Sequence, residues 1–473
     1  MFKKLLGETV IYGIGAILPR ILIFLLVPVY AMYIDAAEFA KFAQLYALIS
    51  FVNIFLTFGF ETAFFRFSSD ESKRDKTFHT SYWFLGATSL VFLLGGLLFH
   101  RSIADGLDYA QNPEYIRWFV WIAFFDTLCV IPLAWLRFHN KPLRYTAVRV
   151  SQSAVQTLLV LLMFMQIPFE NLRVFGLQEQ VAIPFFANLL GSIFGFLLLL
   201  PVSLKVRRKF DAELFRKMLG YSWPVMLAGF AFMINENFDK TVQRMLISDE
   251  MAGAYGGCYK LAVLMTLFVT AFRLGIEPFL FKKMQDKDAP KTYAMITEAF
   301  TVLGSVAALA IIVNLGWLKR LFIPNPSYWQ AMDIVPIIVF ANLFFGIYYT
   351  LSTWYKVTDK TRIGFYISLV GAVLTVGLNL LLLPRLGFMV SAYATFIVYM
   401  CMMVLSCYIG QRNYPIPYKS RKIIFYLAVS MFIGFISYHL ADSNFLIGNG
   451  LLILYLGLVY FLERNFILSQ IRR

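Results

Sequence analysis

Gly59-Phe60-Glu61-Thr62-Ala63-Phe64-Phe65-Arg66 recurs as Gly275-Ile276-Glu277-Pro278-Phe279-Leu280-Phe281-Lys282, 216 residues further on, each copy closing a long apolar run. A second pair, Trp135-Leu136-Arg137 with Asn140-Lys141 and Trp354-Tyr355-Lys356 with Asp359-Lys360, stands at an offset of 219. Two matches at nearly one spacing mark an internal duplication. The repeat unit holds six apolar runs of helical length. An even number of crossings keeps both halves in one orientation, so a pseudo-two-fold axis along the membrane normal is expected to relate them.

Outward from these copies, fourteen runs are long and apolar enough to cross a bilayer: 10–34, 39–65, 79–100, 115–136, 145–167, 180–204, 220–248, 252–281, 292–316, 330–355, 363–383, 387–410, 423–440 and 446–462. Runs of this length without alternation satisfy their backbone polar groups as helices, so the fold class is all-α and polytopic. The expected organisation is an N-terminal six-helix lobe over 1–204, a linker over 205–219, a second six-helix lobe over 220–410 and two extra helices over 411–473. In the linker, Phe210, Leu214 and Met218 recur at helical spacing in a basic stretch, which predicts an amphipathic helix on the cytoplasmic lipid surface. Met1-Phe2-Lys3-Lys4 precedes an apolar run too long for a signal-peptide core, and a retained first span is expected.

Composition agrees with a bilayer protein. Of 473 residues 60% are hydrophobic and only 15% charged, against about 25% charged in soluble domains. No stretch is left for an extramembrane catalytic domain. With the N-terminus assigned to the cytoplasm, 29 of the 42 Lys and Arg fall in cytoplasmic segments, 7 outside and 6 within spans. That bias predicts cytoplasmic termini and accounts for the net charge of +15 without nucleic acid. The four cysteines and four histidines are scattered, so neither a disulfide framework nor a metal site is expected.

The six intramembrane cations are Arg20, Arg149, Lys240, Arg244, Lys260 and Arg273. Arg20 stands ten or more residues from either end of its run, about 15 Å, too far to snorkel. A charge at that depth faces a water-filled cavity or a buried acid such as Asp126 or Glu236. Lys260 has no carboxylate at 256, 257, 263 or 264 to neutralise it within its helix. Arg273 can pair with Glu277 one turn on, and Arg149 is near enough to a span end to snorkel. In span seven, positions 236, 239, 240 and 243 share a polar face, which reads equally as a neutral packing stripe or a cavity wall. A cation site is expected from Asp239 together with Thr375 and Asn379, four apart, and Ser391 and Thr395, four apart. Interhelical hydrogen bonding is the alternative.

Tyr221-Ser222-Trp223-Pro224, Asp239-Lys240, Gly253-Ala254-Tyr255, Tyr259-Lys260-Leu261-Ala262 and Asn379-Leu380-Leu381-Leu382-Leu383-Pro384-Arg385-Leu386-Gly387, in this order, resemble the polysaccharide transporters, or O-antigen-type (Wzx) flippases, of the multidrug/oligosaccharidyl-lipid/polysaccharide (MOP) exporter superfamily. The resemblance implies two lobes around a cationic cavity, alternating access, and a polyprenyl-pyrophosphate-linked oligosaccharide moved across a bacterial cytoplasmic membrane. It implies no cofactor, coupling to Na+ or H+, membrane lipids as surroundings, and glycan polymerases and glycosyltransferases as protein partners. In the related lipid II flippase, spans one and eight carry cavity arginines, so Arg20 and Lys260 are the matching positions here. A sodium site in the corresponding spans of that flippase likewise matches Asp239, Thr375, Asn379, Ser391 and Thr395. Three rival functions follow: a lipid II flippase, a cation-coupled multidrug exporter of the same superfamily, and a membrane glycan polymerase or ligase. Span two lacks a cavity arginine, against the first; drug cavities call for acidic or apolar walls, against the second; no outer loop is long enough for catalytic groups, against the third.

Overall fold

The computed structural model describes residues 2–207, 209–282, 286, 288–358, 360–441 and 444–471, and the side chains of these except 2–10, 277–279, 281–282 and 465–471. Asp359 and the Glu277 side chain, singled out above, lie outside the described residues. The chain is 86% helix, and no strand occurs among the described residues.

Among the described residues fourteen helices are long and apolar enough to cross a membrane: α1 (Ile11–Tyr33), α2 (Ala36–Ser68), α3 (Arg74–Leu98), α4 (Pro113–Phe138), α5 (Pro142–Met165), α6 (Ala182–Ser203), α7 (Ala212–Leu246), α8 (Asp249–Ile276), α9 (Ala289–Val313), α10 (Ile334–Val357), α11 (Thr361–Leu386), α12 (Met389–Asn413), α13 (Ser420–Leu440) and α14 (Phe445–Arg464). Each coincides with one expected apolar run. By compactness the chain forms two units, one of Met1–Ile34 with Lys41–Thr241, the other of Asp35–Ala40 with Val242–Arg473. The division therefore falls inside α7, and the first turns of α2 belong to the second unit.

Among the described residues α10 is broken at Ser352, between Ile334–Leu351 and Thr353–Val357, and α1 and α2 are interrupted as well. In α1 the helical hydrogen bonding breaks at Leu25 and Leu26, just before Val27 and Pro28, whereas Pro19 sits inside an unbroken stretch. In α2 Phe58 and Gly59 adopt positive φ of 50° and 68°, ending one helical segment at Thr57 and starting another at Phe60. A side-chain carbon at Gly59 would lie 2.9 Å from the Ser222 carbonyl oxygen, so glycine serves both the left-handed turn and the approach of α7. The repeat copy at Gly275 carries no such break, and that helix runs on to Lys282.

The linker differs from expectation. Residues 205–207 and 209–211 are not helical, and from Ala212 the chain is already α7, so no separate surface helix forms over 205–219. The reason is packing. Leu214 and Met218 are buried with Phe60, Phe64, Phe78 and Leu199 in the core of the first unit, so their apolar stripe faces protein rather than lipid. The Asp211 carboxylate caps α7 by accepting the Leu214 amide at 3.0 Å.

In the second unit, Trp354, Tyr355, Tyr293 and Leu280 form one core, with the Trp354 indole donating to the Ser406 carbonyl at 3.2 Å. The extra helices α13 and α14 pack on α9 through Tyr426, Tyr455, Val302, Leu309 and Val313. The start of α2 lies against α8: a side-chain carbon at Gly253 would collide with the Ala36 carbonyl. Phe39 meets the buried Tyr328 edge-on at 5.7 Å, and Asn325 donates to Asp35 at 3.3 Å.

Candidate functional site

The intramembrane cations separate by their surroundings. The Lys240 ammonium lies 3.1 Å from Asp239 and donates to the Glu236 carbonyl at 2.8 Å, with the Asp239 side chain 5% exposed. Arg244 pairs with Asp249 at 3.1 Å across the turn into α8. Both therefore already have a carboxylate within the helix or its next turn. Arg273 lies over the Tyr349 ring of α10, 5.0 Å from its centroid, and the Lys356 ammonium approaches the same ring at 3.9 Å. Each cation is attracted by the ring's quadrupole.

Arg20 and Lys260 lie on α1 and α8. Arg20 is exposed at mid-helix in α1. In α8 the buried residues Ala254, Tyr255, Cys258, Leu261, Ala262 and Met265 define one face, where Cys258 donates to the Tyr328 carbonyl and Ala262 accepts from Asn342. Lys260 follows the buried stretch 252–259 and is itself half-buried. Arg149 is exposed on α5.

The four oxygen-bearing residues of α11 and α12 come together. Ser391 donates to the Asn379 side-chain oxygen at 2.6 Å, Asn379 to the Thr375 carbonyl at 2.8 Å and Thr395 to the Ser391 carbonyl at 2.9 Å, all buried. The Asn379 oxygen is thus engaged by a hydroxyl, the interhelical hydrogen bond that polar residues form in membranes. Asp239 belongs to the first compact unit.

Three polar groupings escaped the sequence reading. In the first unit Asp126 accepts from Gln152 at 3.4 Å, and Asn188 donates to the Tyr46 hydroxyl at 2.9 Å. Near one end of that unit Lys41 pairs with Glu179 at 2.7 Å, joined by the Tyr115 hydroxyl at 3.0 Å. In the second unit Lys422 lies 2.8 Å from Glu463 and 3.4 Å from Glu298, with Tyr426 donating to Glu463 at 2.7 Å. Lys422, Glu463 and Glu298 line a cavity of 780 Å³ together with Met295, Val302, Leu303, Val459 and Leu462. A lone Glu298 or Asp126 inside an apolar run was the available signal. The duplication also gains a physical meaning, because Glu61 of one match pairs with Arg137 of the other at 2.8 Å.

Residues 5–284 match the family model described as polysaccharide biosynthesis protein. Residues 224–381 match the MatE model. No curated protein matches the chain by sequence. Among solved structures, the lipid II flippase MurJ in an inward closed conformation is similar at a TM-score of 0.78 and 17% identity, covering 97% of this chain and 100% of its own. An inward-facing multidrug resistance MATE family transporter of the MOP superfamily follows at 0.62 and 13%, covering 86% and 94%. The MATE transporter ClbM in complex with Rb+ is similar at 0.56 and 14%, covering 90% and 97%.

Proposed function

Since the chain belongs to the polysaccharide biosynthesis protein family, within the MOP exporter superfamily of transporters and flippases, we propose that it flips a polyprenyl-pyrophosphate-linked oligosaccharide across a bacterial cytoplasmic membrane by alternating access. It is a multi-pass membrane protein of the transporter fold. The observation that carries the reading is the position of Arg20 and Lys260, cations placed within the membrane-spanning helices α1 and α8. A diphosphate leaving water loses hydration that fixed cations have to replace. Arg20 in the first repeat and Lys260 in the second are the cations proposed to supply that replacement. A Lys in place of an Arg fork binds phosphate as a point charge and favours release.

The test is complementation of a flippase-null strain at matched protein abundance. Arg20→Ala and Lys260→Ala abolish flipping, while Lys260→Arg retains it. Full complementation by both alanine variants would refute the anion-binding role. The MatE match over residues 224–381 favours drug export as the second reading. Transport of an organic cation with no response to Arg20→Ala would decide for it. The charge asymmetry supports cytoplasmic termini, and a Na+ or H+ gradient is the proposed drive, with oxygens of Thr375, Asn379, Ser391 and Thr395 in the second unit as the proposed ion ligands. Transport in proteoliposomes that ignores both gradients would remove that part.

A further inference from the structure

The first turns of α4 carry Glu114, Arg117, Trp118 and Trp121 at i, i+3, i+4 and i+7, so they share one helix face. Together with Phe175 and Gln178 they line a cavity of 500 Å³, within the range of about 300–1,000 Å³ common to small-molecule sites. Phe175 and Gln178 come from the connection between α5 and α6, which is firmly seated. Leu172 and Leu177, on either side of Phe175, are buried, and Glu179 takes the Lys41 ammonium at 2.7 Å and the Tyr115 hydroxyl at 3.0 Å. The cavity is therefore formed before any ligand arrives. Its aromatic rings are fixed as well: Trp118 stacks on Tyr115 with centroids 5.9 Å apart and meets Phe186 edge-on at 5.8 Å, and Trp121 stacks on Phe125 at 5.7 Å. Tryptophans near a helix end suit the interfacial belt of a membrane protein. A belt accounts for the rings but not for Glu114, a half-buried carboxylate whose Oε1 is buried without a hydrogen-bond partner among the described residues. Such an acceptor is costly to keep and calls for a donor in the cavity beside it.

We propose that this cavity is a saccharide subsite on the outer face of the first unit, taking a neutral pyranose of the flipped glycan. The outer placement follows from cytoplasmic termini, and the occupant rests on the flippase reading above. A pyranose has the matching chemistry: a face of C–H groups that packs on tryptophan, and an edge of hydroxyls that both donate and accept. Its hydroxyls donate to the Glu114 carboxylate, which can only accept, and accept from the Arg117 guanidinium and the Gln178 amide. Arg117 and Gln178 are exposed at the cavity and available for this. Opposite charges one turn apart also select against charged rings, since a uronic acid meets Glu114 and an amino sugar meets Arg117. A phosphoethanolamine headgroup carries both charges but offers no apolar face to the two tryptophans. The lipid-linked substrate is then recognised by two kinds of chemistry, fixed cations for its diphosphate and rings with donors and acceptors for its sugar. Held in this cavity after translocation, the sugar is kept on the outer side.

Saturation-transfer NMR on the full chain in nanodiscs tests this with glucose, galactose, N-acetylglucosamine and N,N′-diacetylchitobiose as probes, and with phosphoethanolamine as the lipid-headgroup control. At least one sugar is expected to bind, with an affinity reduced about tenfold in Glu114→Gln by the loss of a charge-assisted hydrogen bond. Arg117→Ala and Phe175→Ala should weaken binding as well, and both can be made without opening a core, since Arg117 is exposed and Phe175 is 62% exposed. No sugar binding to wild type overturns the proposal, as does sugar binding that all three variants leave unchanged. Phosphoethanolamine binding that is lost in the same variants assigns the cavity to a lipid headgroup and overturns it too. None of these outcomes bears on flipping, which is read separately by complementation with Arg20→Ala and Lys260→Ala. Those two substitutions should leave sugar binding intact, and its loss in them would put the sugar at the cations and refute the subsite.

Discussion

A methyl group at Gly253 would meet backbone on the start of α2: it collides with the Ala36 carbonyl and comes within 3.0 Å of the Ala40 nitrogen. No rotamer change relieves a clash with backbone, so Gly253→Ala is expected to lift the segment Asp35–Ala40 off α8. The lifted segment loses the Phe39 edge contact on Tyr328, about 0.5–1.5 kcal/mol. It also loses the hydrogen bond from Asn325 to Asp35, about 0.5–1.5 kcal/mol. Together these amount to about 1–3 kcal/mol, or a 5- to 150-fold fall in the ratio of seated to unseated segment. Ala40 is 2% exposed, which makes Ala40→Cys a mild reporter of the unseated form. When opening and closing outpace the chemistry, the maleimide reaction rate follows the open fraction. In nanodiscs the rate should rise about tenfold in Gly253→Ala. Gly13→Ala, where nothing lies within 4 Å, should leave it unchanged. An Ala40→Cys rate unaltered by Gly253→Ala would refute the packing argument.

Gly59→Ala forces a methyl into a positive-φ turn and against the Ser222 carbonyl; thermal unfolding should show a loss of about 1 kcal/mol or more, whereas Gly275→Ala, in open helical space, should cost nothing measurable. Lys422→Met takes the cation from Glu463 while Glu298 keeps Lys419 at 3.4 Å, and should destabilise by about 1–3 kcal/mol; adding Glu463→Gln should recover part of that in the same assay. The Leu214 amide first, and Lys76 second, hold the Asp211 carboxyl below the usual carboxylate range. Because the folded pKa is the lower one, the cap's contribution is present above the unfolded value and lost as the pH falls through the folded value. The Tm difference between wild type and Asp211→Ala should therefore be full at neutral pH and shrink only in strong acid.

Apolar runs were sufficient to locate all fourteen spans, because in lipid a helix is determined by its own length and hydropathy. What the runs do not carry is register between helices. The spacing of Thr375 and Asn379, or of Ser391 and Thr395, was readable within one helix, but the bond from Ser391 to Asn379 joins two helices and depends on how they align. Arg273 shows the same limit, since its aromatic neighbour Tyr349 lies on α10. Leu214 and Met218 were misread as lipid-facing because an amphipathic stripe looks the same whether its partner is bilayer or protein. The pairing of Arg244 with Asp249 depends on a turn after Leu246 that hydropathy alone does not mark.

The membership of Asp35–Ala40 in the second unit has a consequence in time. These residues leave the ribosome early, yet Gly253 and Tyr328, the groups they pack on, are added 217 and 292 residues after Ala36. At about 5–20 residues per second, the start of α2 waits about 15–60 s for the whole of its seat to be synthesised. Throughout that interval the half of the chain made first carries an unfinished helix start, and the molecule can be completed only after most of the second repeat has entered the bilayer.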